Sequence, residues 1–355
     1  MGEKYIKPRP DSHPSGNRIK KIISIVIPTY NSSVMLLRCL KALEKQTSPK
    51  VEFEVIVSDD GSTDETLKEL AQFKLKSDIN LRWVSINNSG PACARNAGVA
   101  KSDGSWVGFM DSDVIPDKDW VKNAIHLINQ NPDVGAFEGL TKVSQRNLAS
   151  PFTHQTENID GGRYPTCNFL VRRNLANFYP AYKIPFREDT DLAFGILALG
   201  YSIIFAPDLI VDHPPLNSNY FRPIILARRY YYDGLLARRF PERYRFDLDV
   251  HQILGFKIPH LKRKLYSIFV LSQILLLWTI FYDFSSIVTL LNLSIYIMIL
   301  FISAWVGLRY THIRNLSARD WVIFVFQLNI LPWVMGCSLL RGWYDFNGEP
   351  EFKKW

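Results

Sequence analysis

The feature that most restricts the fold is an alternation near the start of the chain between short apolar runs and segments of helix length. Ile22 to Pro28 is a compact β-branched run, and Phe53 to Val57, Trp83 to Ile86 and Trp106 to Met110 repeat it. Between them, Val34 to Glu44, a segment ending near Phe73, and Pro91 to Lys101 are spaced as helices. Strands alternating with helices imply a mostly parallel sheet covered on both faces. Ligands of such sheets bind outside the carboxyl ends of the strands. Polar clusters fall at those ends: Thr29 to Asn31, Asp59 to Asp64, and Asp111 to Asp113. Beyond Val134 to Phe137 the rhythm is irregular, interrupted by Gly161, Gly162, Pro165, Pro180 and Pro185, and 135–220 reads as the second half of the same domain.

Asp111 and Asp113 flank one residue in a turn after a strand, so both carboxylates can converge, directly or through water, on a divalent cation carrying phosphate oxygens. Oxygen ligands suit Mg²⁺ or Mn²⁺. No GxGxxG follows the first strand and no GxxxxGK[ST] occurs, which argues against a dinucleotide site and an ATPase loop. Cys39, Cys93, Cys167 and Cys337 have no CxxC spacing, which argues against a disulfide scaffold and a cysteine zinc site.

Downstream, Tyr266 to Tyr282, Phe284 to Leu308 and Trp321 to Leu340 carry no charged side chain, and the third contains Asn329 and Pro332. In lipid a helix satisfies its own backbone, so the three are expected to be spanning helices, the first two forming a hairpin that turns near Asp283. Lys257, Lys262, Arg263 and Lys264 precede the first, while Arg309, Arg314 and Arg319 separate the second and third. The positive-inside rule puts both sets on the cytoplasmic face, which predicts a multi-pass protein of the cell (plasma) membrane with its α/β domain in the cytoplasm. Between Pro223 and Phe256 arginines alternate with aromatics, as in an amphipathic helix lying on an anionic membrane. The net charge of +8 is therefore assigned to a membrane surface, and no nucleic-acid partner is expected. The expected organisation is a flexible tail at 1–21, the α/β domain at 22–220, a basic juxtamembrane region at 221–265, apolar helices within 266–340 and a tail at 341–355.

Over roughly residues 22–215 the chain resembles the inverting family 2 glycosyltransferases of the GT-A fold, a Rossmann-like α/β architecture. The matching pieces are Ile25 Val26 Ile27 Pro28 Thr29 Tyr30 Asn31, then Val57 Ser58 Asp59 Asp60 Gly61 Ser62 Thr63 Asp64, then Gly90 Pro91 Ala92 Cys93 Ala94 Arg95 Asn96 Ala97 Gly98. Asp111 Ser112 Asp113 and Arg187 Glu188 Asp189 Thr190 Asp191 Leu192 complete the set. The resemblance implies hexosyl transfer from a nucleoside diphosphate sugar, of UDP or GDP type, with Mn²⁺ or Mg²⁺ bridging the phosphates. It implies that Pro28, Thr29, Tyr30 and Asn31 cradle the nucleotide, that Asp59 or Asp60 meets the base edge, and that Arg95 lies near the phosphates, where a guanidinium fork suits them.

Asp113 then fits the principal metal ligand, with Asp111 closer to the donor sugar or a bridging water. His213 is a third candidate ligand or a capping histidine. Asp189 is the candidate base, because the acceptor hydroxyl must lose its proton as it attacks; Glu188 is its rival and Asp191 a structural acid. Asn168 and Arg172 resemble the acceptor-side stretch, whereas the family's glycine-rich segment is replaced by Phe178 to Pro185. The QxxRW motif of processive members is missing, and Leu226 Ala227 Arg228 Arg229 Tyr230 occupies the later region, which argues against a polysaccharide channel. Apolar helices beside such a domain point to a lipid-linked acceptor. A soluble or protein-linked acceptor, and nucleotidyl transfer on a related fold, are the alternatives.

Overall fold

The computed structural model describes residues 23–50, 52–216, 219–253, 256–282, 287–309 and 316–353. The tail at 1–21, the turn at Asp283 and Arg314 lie outside the described residues. The chain divides into two compact units, one of residues up to 144 with 156–214, the other of 145–155 with 215–353. The expected domain end at 220 thus moves to 214, and 145–155 leaves the first unit because Phe152 packs edge-on against Tyr220 and Phe324.

The first unit opens with β1 (Ile23–Thr29), α1 (Ser33–Glu44), β2 (Phe53–Asp59), α2 (Thr66–Lys76), β3 (Leu81–Ser85), α3 (Pro91–Ala100) and β4 (Trp106–Phe109), matching the sequence expectation within a few residues. Then follow β5 (Ile115–Pro116), α4 (Trp120–Gln130), β6 (Ala136–Lys142), β7 (Phe169–Arg172), α5 (Glu188–Ala198) and β8 (Ile203–Asp212). The sheet order is β3-β2-β1-β4-β7-β6-β8-β5. From β3 to β4 all pairs are parallel, whereas β4–β7, β7–β6 and β8–β5 are antiparallel. The expected mostly parallel sheet is therefore parallel in its first half and mixed beyond, because β7 returns beside β4 without a right-handed crossover. Ile25, Val26, Ile27, Val55, Ile56 and Val57 are fully buried, which is why these strands read as continuous apolar runs rather than alternating ones.

The switch from parallel to antiparallel is held by Asn168. Its Oδ1 accepts from Trp120 Nε1 at 2.9 Å and its Nδ2 donates to the carbonyls of Leu140 and Leu209 at 3.0 and 2.8 Å. A Cβ at Gly139 would overlap this amide. Arg172 likewise bonds Val134 O at 2.7 Å and stacks over Trp106. Asn168 thus ties β6 and β8 together beside β7, and Arg172 ties β7 to β4 and to the segment before β6.

In the second unit, 221–258 does not form one amphipathic helix. It breaks into α6 (Arg222–Arg229), α7 (Asp233–Arg239), α8 (Pro241–Phe246) and a hairpin of β9 (His251–Ile253) and β10 (Phe256–Ile258), with Pro241 starting a fresh helix after Phe240. Then come α9 (Leu261–Tyr282), α10 (Ile287–Arg309) and α11 (Ala318–Asp345), so the C-terminal tail is helical as far as Asp345. By length and composition α9 and α11 can each cross a membrane, and Ile287–Phe301 is a shorter apolar stretch. Ser317 and Asp320 close a capping box at the start of α11. Between the three helices, Asn329 takes hydrogen bonds from Tyr296 and Gln273, and Trp333 donates to Gln273 at 2.6 Å. Arg263, expected among the exposed flanking cations, is instead buried against Asp233 and Asp249 at 2.7 and 3.0 Å.

Asn168→Ala would strand Trp120 Nε1 and two carbonyls in the core, and should destabilise the first unit by about 3 kcal/mol. Thermal unfolding in detergent should show a drop of several degrees in the transition carried by the first unit. An unchanged midpoint would contradict the role given to this amide.

Candidate active site

Three loops leave the carboxyl ends of β1, β2 and β3, and short side chains lace them together. Thr29 is buried at the end of β1, and its Oγ1 bonds no described residue. Pro28 is half-buried and the Tyr30 side chain is exposed. Asn31, turned to φ +47°, accepts at Oδ1 from the amides of Thr63 and Asp64 at 2.8 and 3.3 Å, while its own N–H donates to Ser62 Oγ at 2.8 Å. Asp59, fully buried, accepts from Ser62 N at 3.2 Å. Asp60 accepts from Ser89 N at 2.7 Å and Gly90 N at 2.9 Å. Gly90 is required there: its φ is +93° and an added Cβ would sit 2.7 Å from the Lys183 carbonyl oxygen. Pro91 then starts α3 at a position that needs no N–H donor.

One turn into α3, Arg95 is buried and points at two acids. Its Nη2 donates to Asp111 Oδ1 at 2.9 Å and its Nη1 to Glu188 Oε1 at 3.0 Å. The guanidinium lies over the Phe178 ring, 5.5 Å from its centroid. Asp113 faces His213, whose buried Nε2 is 3.7 Å from Asp113 Oδ1. Helix α5 begins at Glu188 and Asp189, after Arg187 has turned the backbone to φ +73°, so both carboxylates sit at the positive end of the helix dipole. Asp189 is half-buried; its Oδ1 accepts from Thr190 N at 2.6 Å and Thr190 Oγ1 at 3.3 Å. Asp191 accepts from the Tyr182 hydroxyl at 3.1 Å.

Burial and neighbouring charges shift several of these groups. Burial pushes the Cys167 thiol well up, and Asp111, Asp113 and Asp189 each add to that, with the Thr141 hydroxyl opposing. Burial pushes Glu188 up to about 7, reinforced by the charge on Asp189 and opposed by Arg95. Asp189 is also raised, chiefly by burial, against its Thr190 hydrogen bonds and the cations Arg187 and Arg95. For Arg95 burial works against the charge, yet Asp111 and Glu188 together raise its value.

The sequence-derived residues thus fall into linked groups: Asn31 with Ser62 to Asp64, Asp60 with Ser89 and Gly90, Asp111 with Arg95 and Glu188, and Asp113 with His213. Arg95 is engaged by protein carboxylates through both Nη atoms. Sequence reasoning passed over Asn96, which exchanges two hydrogen bonds of 2.8 Å with the backbone of Phe178 and so docks the segment before α5 onto α3. Its place beside Arg95 in the third motif was the available signal.

A mixed α/β sheet of this order, with acids at the strand ends and an acidic helix start facing them, defines a GT-A-type domain. Residues 24–191 match the model of the family described as Glycosyl transferase family 2. Among relatives, Poly(ribitol-phosphate) beta-N-acetylglucosaminyltransferase TarS of Staphylococcus aureus is 37% identical over 173 residues, 48% of this chain and 29% of that protein. Glycosyltransferase AglE of Haloferax volcanii is 27% identical over 202 residues, 54% of this chain and 66% of that protein. Among solved structures, the mannosyltransferase PcManGT from Pyrobaculum calidifontis, in complex with GDP-Man and Mn²⁺, superposes with a TM-score of 0.53 at 18% identity, over 91% of this chain and 87% of that one. The chain spans less than a third of the length of TarS, at 29%.

Because Glu188 titrates higher in the folded than in the unfolded protein, its contribution to stability is full below the unfolded carboxyl range and fades as pH rises through about 7. From pH 5 to pH 8 the wild-type melting temperature should therefore fall more steeply than that of Glu188→Gln. Parallel curves by scanning fluorimetry would contradict the assigned environment.

Proposed function

We propose that the first unit transfers a sugar from a nucleoside diphosphate sugar to a membrane-borne, lipid-linked acceptor, with inversion at the anomeric carbon. The observation that carries this reading is the bridge that Arg95 makes from Asp111 to Glu188, the neighbour of Asp189 at the start of α5, with Asp113 facing His213 beside the laced loops at the strand ends. In this reading Pro28, Thr29, Tyr30 and Asn31 receive the nucleotide, and the unpartnered Thr29 hydroxyl is available to it. Asp59 or Asp60 meets the base edge; a carboxylate has more acceptor sites than the amides of Ser89 and Gly90 use.

Asp189 acts as the general base. Its Oδ1 is engaged by Thr190, so Oδ2 takes the proton of the acceptor hydroxyl as that oxygen bonds to the anomeric carbon. The bond to the diphosphate oxygen breaks in the same step, and the electron pair leaves with the nucleoside diphosphate. Asp113 and His213 would hold Mn²⁺ or Mg²⁺, with Asp111 beside them; their 3.7 Å separation lets one small cation touch both, and the carboxylate–imidazole pair suits such an ion. A bound cation supplies charge neutralisation for the departing diphosphate.

The acceptor class is argued from the second unit. TarS is named for poly(ribitol-phosphate), but α9 and α11, long and apolar enough to span, favour a lipid-linked acceptor here. Exposed Lys257, Lys262 and Lys264 before α9 and Arg319 at the start of α11 favour, by the positive-inside rule, a multi-pass arrangement with both helix starts on the cytoplasmic side.

Offering UDP-, GDP- and dTDP-sugars with Mn²⁺ and membrane lipid extract should yield a glycosylated lipid by mass spectrometry. A product only on water-soluble acceptors would contradict the lipid assignment, and release of pyrophosphate from a nucleoside triphosphate would favour nucleotidyl transfer. Asp189→Asn should bind nucleoside diphosphate as the wild type does while losing about 10²–10⁴ in turnover. Asp113→Asn should lose most cation-dependent transfer with its fold intact by circular dichroism, and full activity after chelation would remove the metal from the account.

A further inference from the structure

We infer that Arg95 is a positioning residue that ties the donor-side acid Asp111 to the helix carrying Asp189, with Glu188 as its anchor on that helix. The inference rests on the functional reading above. The family resemblance directs this arginine at the donor phosphates, but its hydrogen bonds go elsewhere. Nη2 meets Asp111 at 2.9 Å in a part-buried bond and Nη1 meets Glu188 at 3.0 Å in a buried one, each charge-assisted. Arg95 is 3% exposed, its face is covered by Phe178, and its buried Nε bonds no described residue. Phe178 is itself held by Asn96, one residue along α3. The guanidinium is therefore clamped in the plane that reaches both carboxylates at once. Residues 95 and 188 are far apart in sequence, and this contact is a direct polar link between α3, the turn after β4, and α5.

The consequence concerns Glu188. An acid whose Oε1 is held by Arg95 and whose Oε2 is buried has no path to an acceptor hydroxyl, whereas Asp189, next along the helix and half-buried, keeps one. Glu188 fixes where α5 starts, and Asp189 is placed by it. Lysine cannot replace Arg95, since a single ammonium does not present the fork that spans two carboxylates.

The test compares Arg95→Lys, Glu188→Gln and the double variant with the wild type in the full chain. Binding of UDP and of GDP with Mn²⁺ is read by calorimetry, and release of nucleoside diphosphate from UDP- and GDP-sugars gives turnover. The expected result is a loss of at least about 10-fold in turnover for Arg95→Lys with nucleoside diphosphate affinity within about 3-fold of wild type. Glu188→Gln, whose amide oxygen still accepts from Arg95, should lose less than about 10-fold, and the double variant should be no slower than Arg95→Lys, as for groups acting as one unit. A 10-fold weaker affinity with turnover preserved would make Arg95 a phosphate contact and overturn the inference. A loss of 10²–10⁴ in Glu188→Gln would make Glu188 the base and overturn it too. If Arg95→Lys does not fold, Glu188→Gln alone decides between anchor and base. A wild type that binds and turns over none of the donors fails the functional reading itself, and the inference falls with it; the variant outcomes bear on the inference only when the wild type is active.

Discussion

Everything at the candidate site depends on the register of β1 in the middle of the parallel half of the sheet. Thr29 pairs with Asp59, and Asp59 with Ser85, so three strands end level and hand over their loops at one edge. A slip of β1 by one residue would turn Thr29 to the opposite face and part Asn31 from Ser62, Thr63 and Asp64. Helix α3 packs against β1 with Gly98 facing Val26, where a Cβ would clash, and that close approach sets the distance at which Arg95 reaches Asp111. The loops are then fixed by side chains bonding backbone, Asn31 and Asp60 above all, rather than by apolar burial. Such a rim is rigid and polar together, as needed to orient a charged ligand.

Gathering Asp111, Asp113, Glu188 and Asp189 in one region works against folding, since like charges at low dielectric repel and burial disfavours the ionised forms. Arg95 offsets this for Asp111 and Glu188, and the dipole of α5 does so at Glu188 and Asp189. The raised values of Glu188 and Asp189 record what remains uncompensated. A region so charged favours a divalent cation and its phosphate ligands, and a raised carboxyl nearby is the property a general base near neutral pH requires.

The first half of the fold was open to sequence reasoning because its strands are buried on both faces and its helices repeat regularly, so β1 to β4 and α1 to α3 could be placed from pattern alone. The second half was not, because β7 and β6 are fixed by the amide of Asn168 and by Gly139, a tertiary fit with no local signature. For the same reason the sequence showed Asn168 and Arg172 only by their resemblance to an acceptor-side stretch, and not the bonds of Asn168 to Trp120, Leu140 and Leu209 or of Arg172 to Val134. At the site, the motif acids were legible by position, but the partners of Arg95 were not, since a long-range ion pair leaves no periodic trace. The stretch 221–258 misled in another way: its composition fits an amphipathic helix, yet Pro241 and the β9–β10 hairpin divide it, and Arg263 turns inward to Asp233.

The central claim is that one base, Asp189, delivers the acceptor to the anomeric carbon in a single displacement. The measurement closest to that event is the anomeric configuration of the first transfer product, read from its proton NMR coupling and compared with that of the donor sugar. The account predicts the opposite configuration. Retention would require two displacements, and would contradict the assignment of Asp189 as a base.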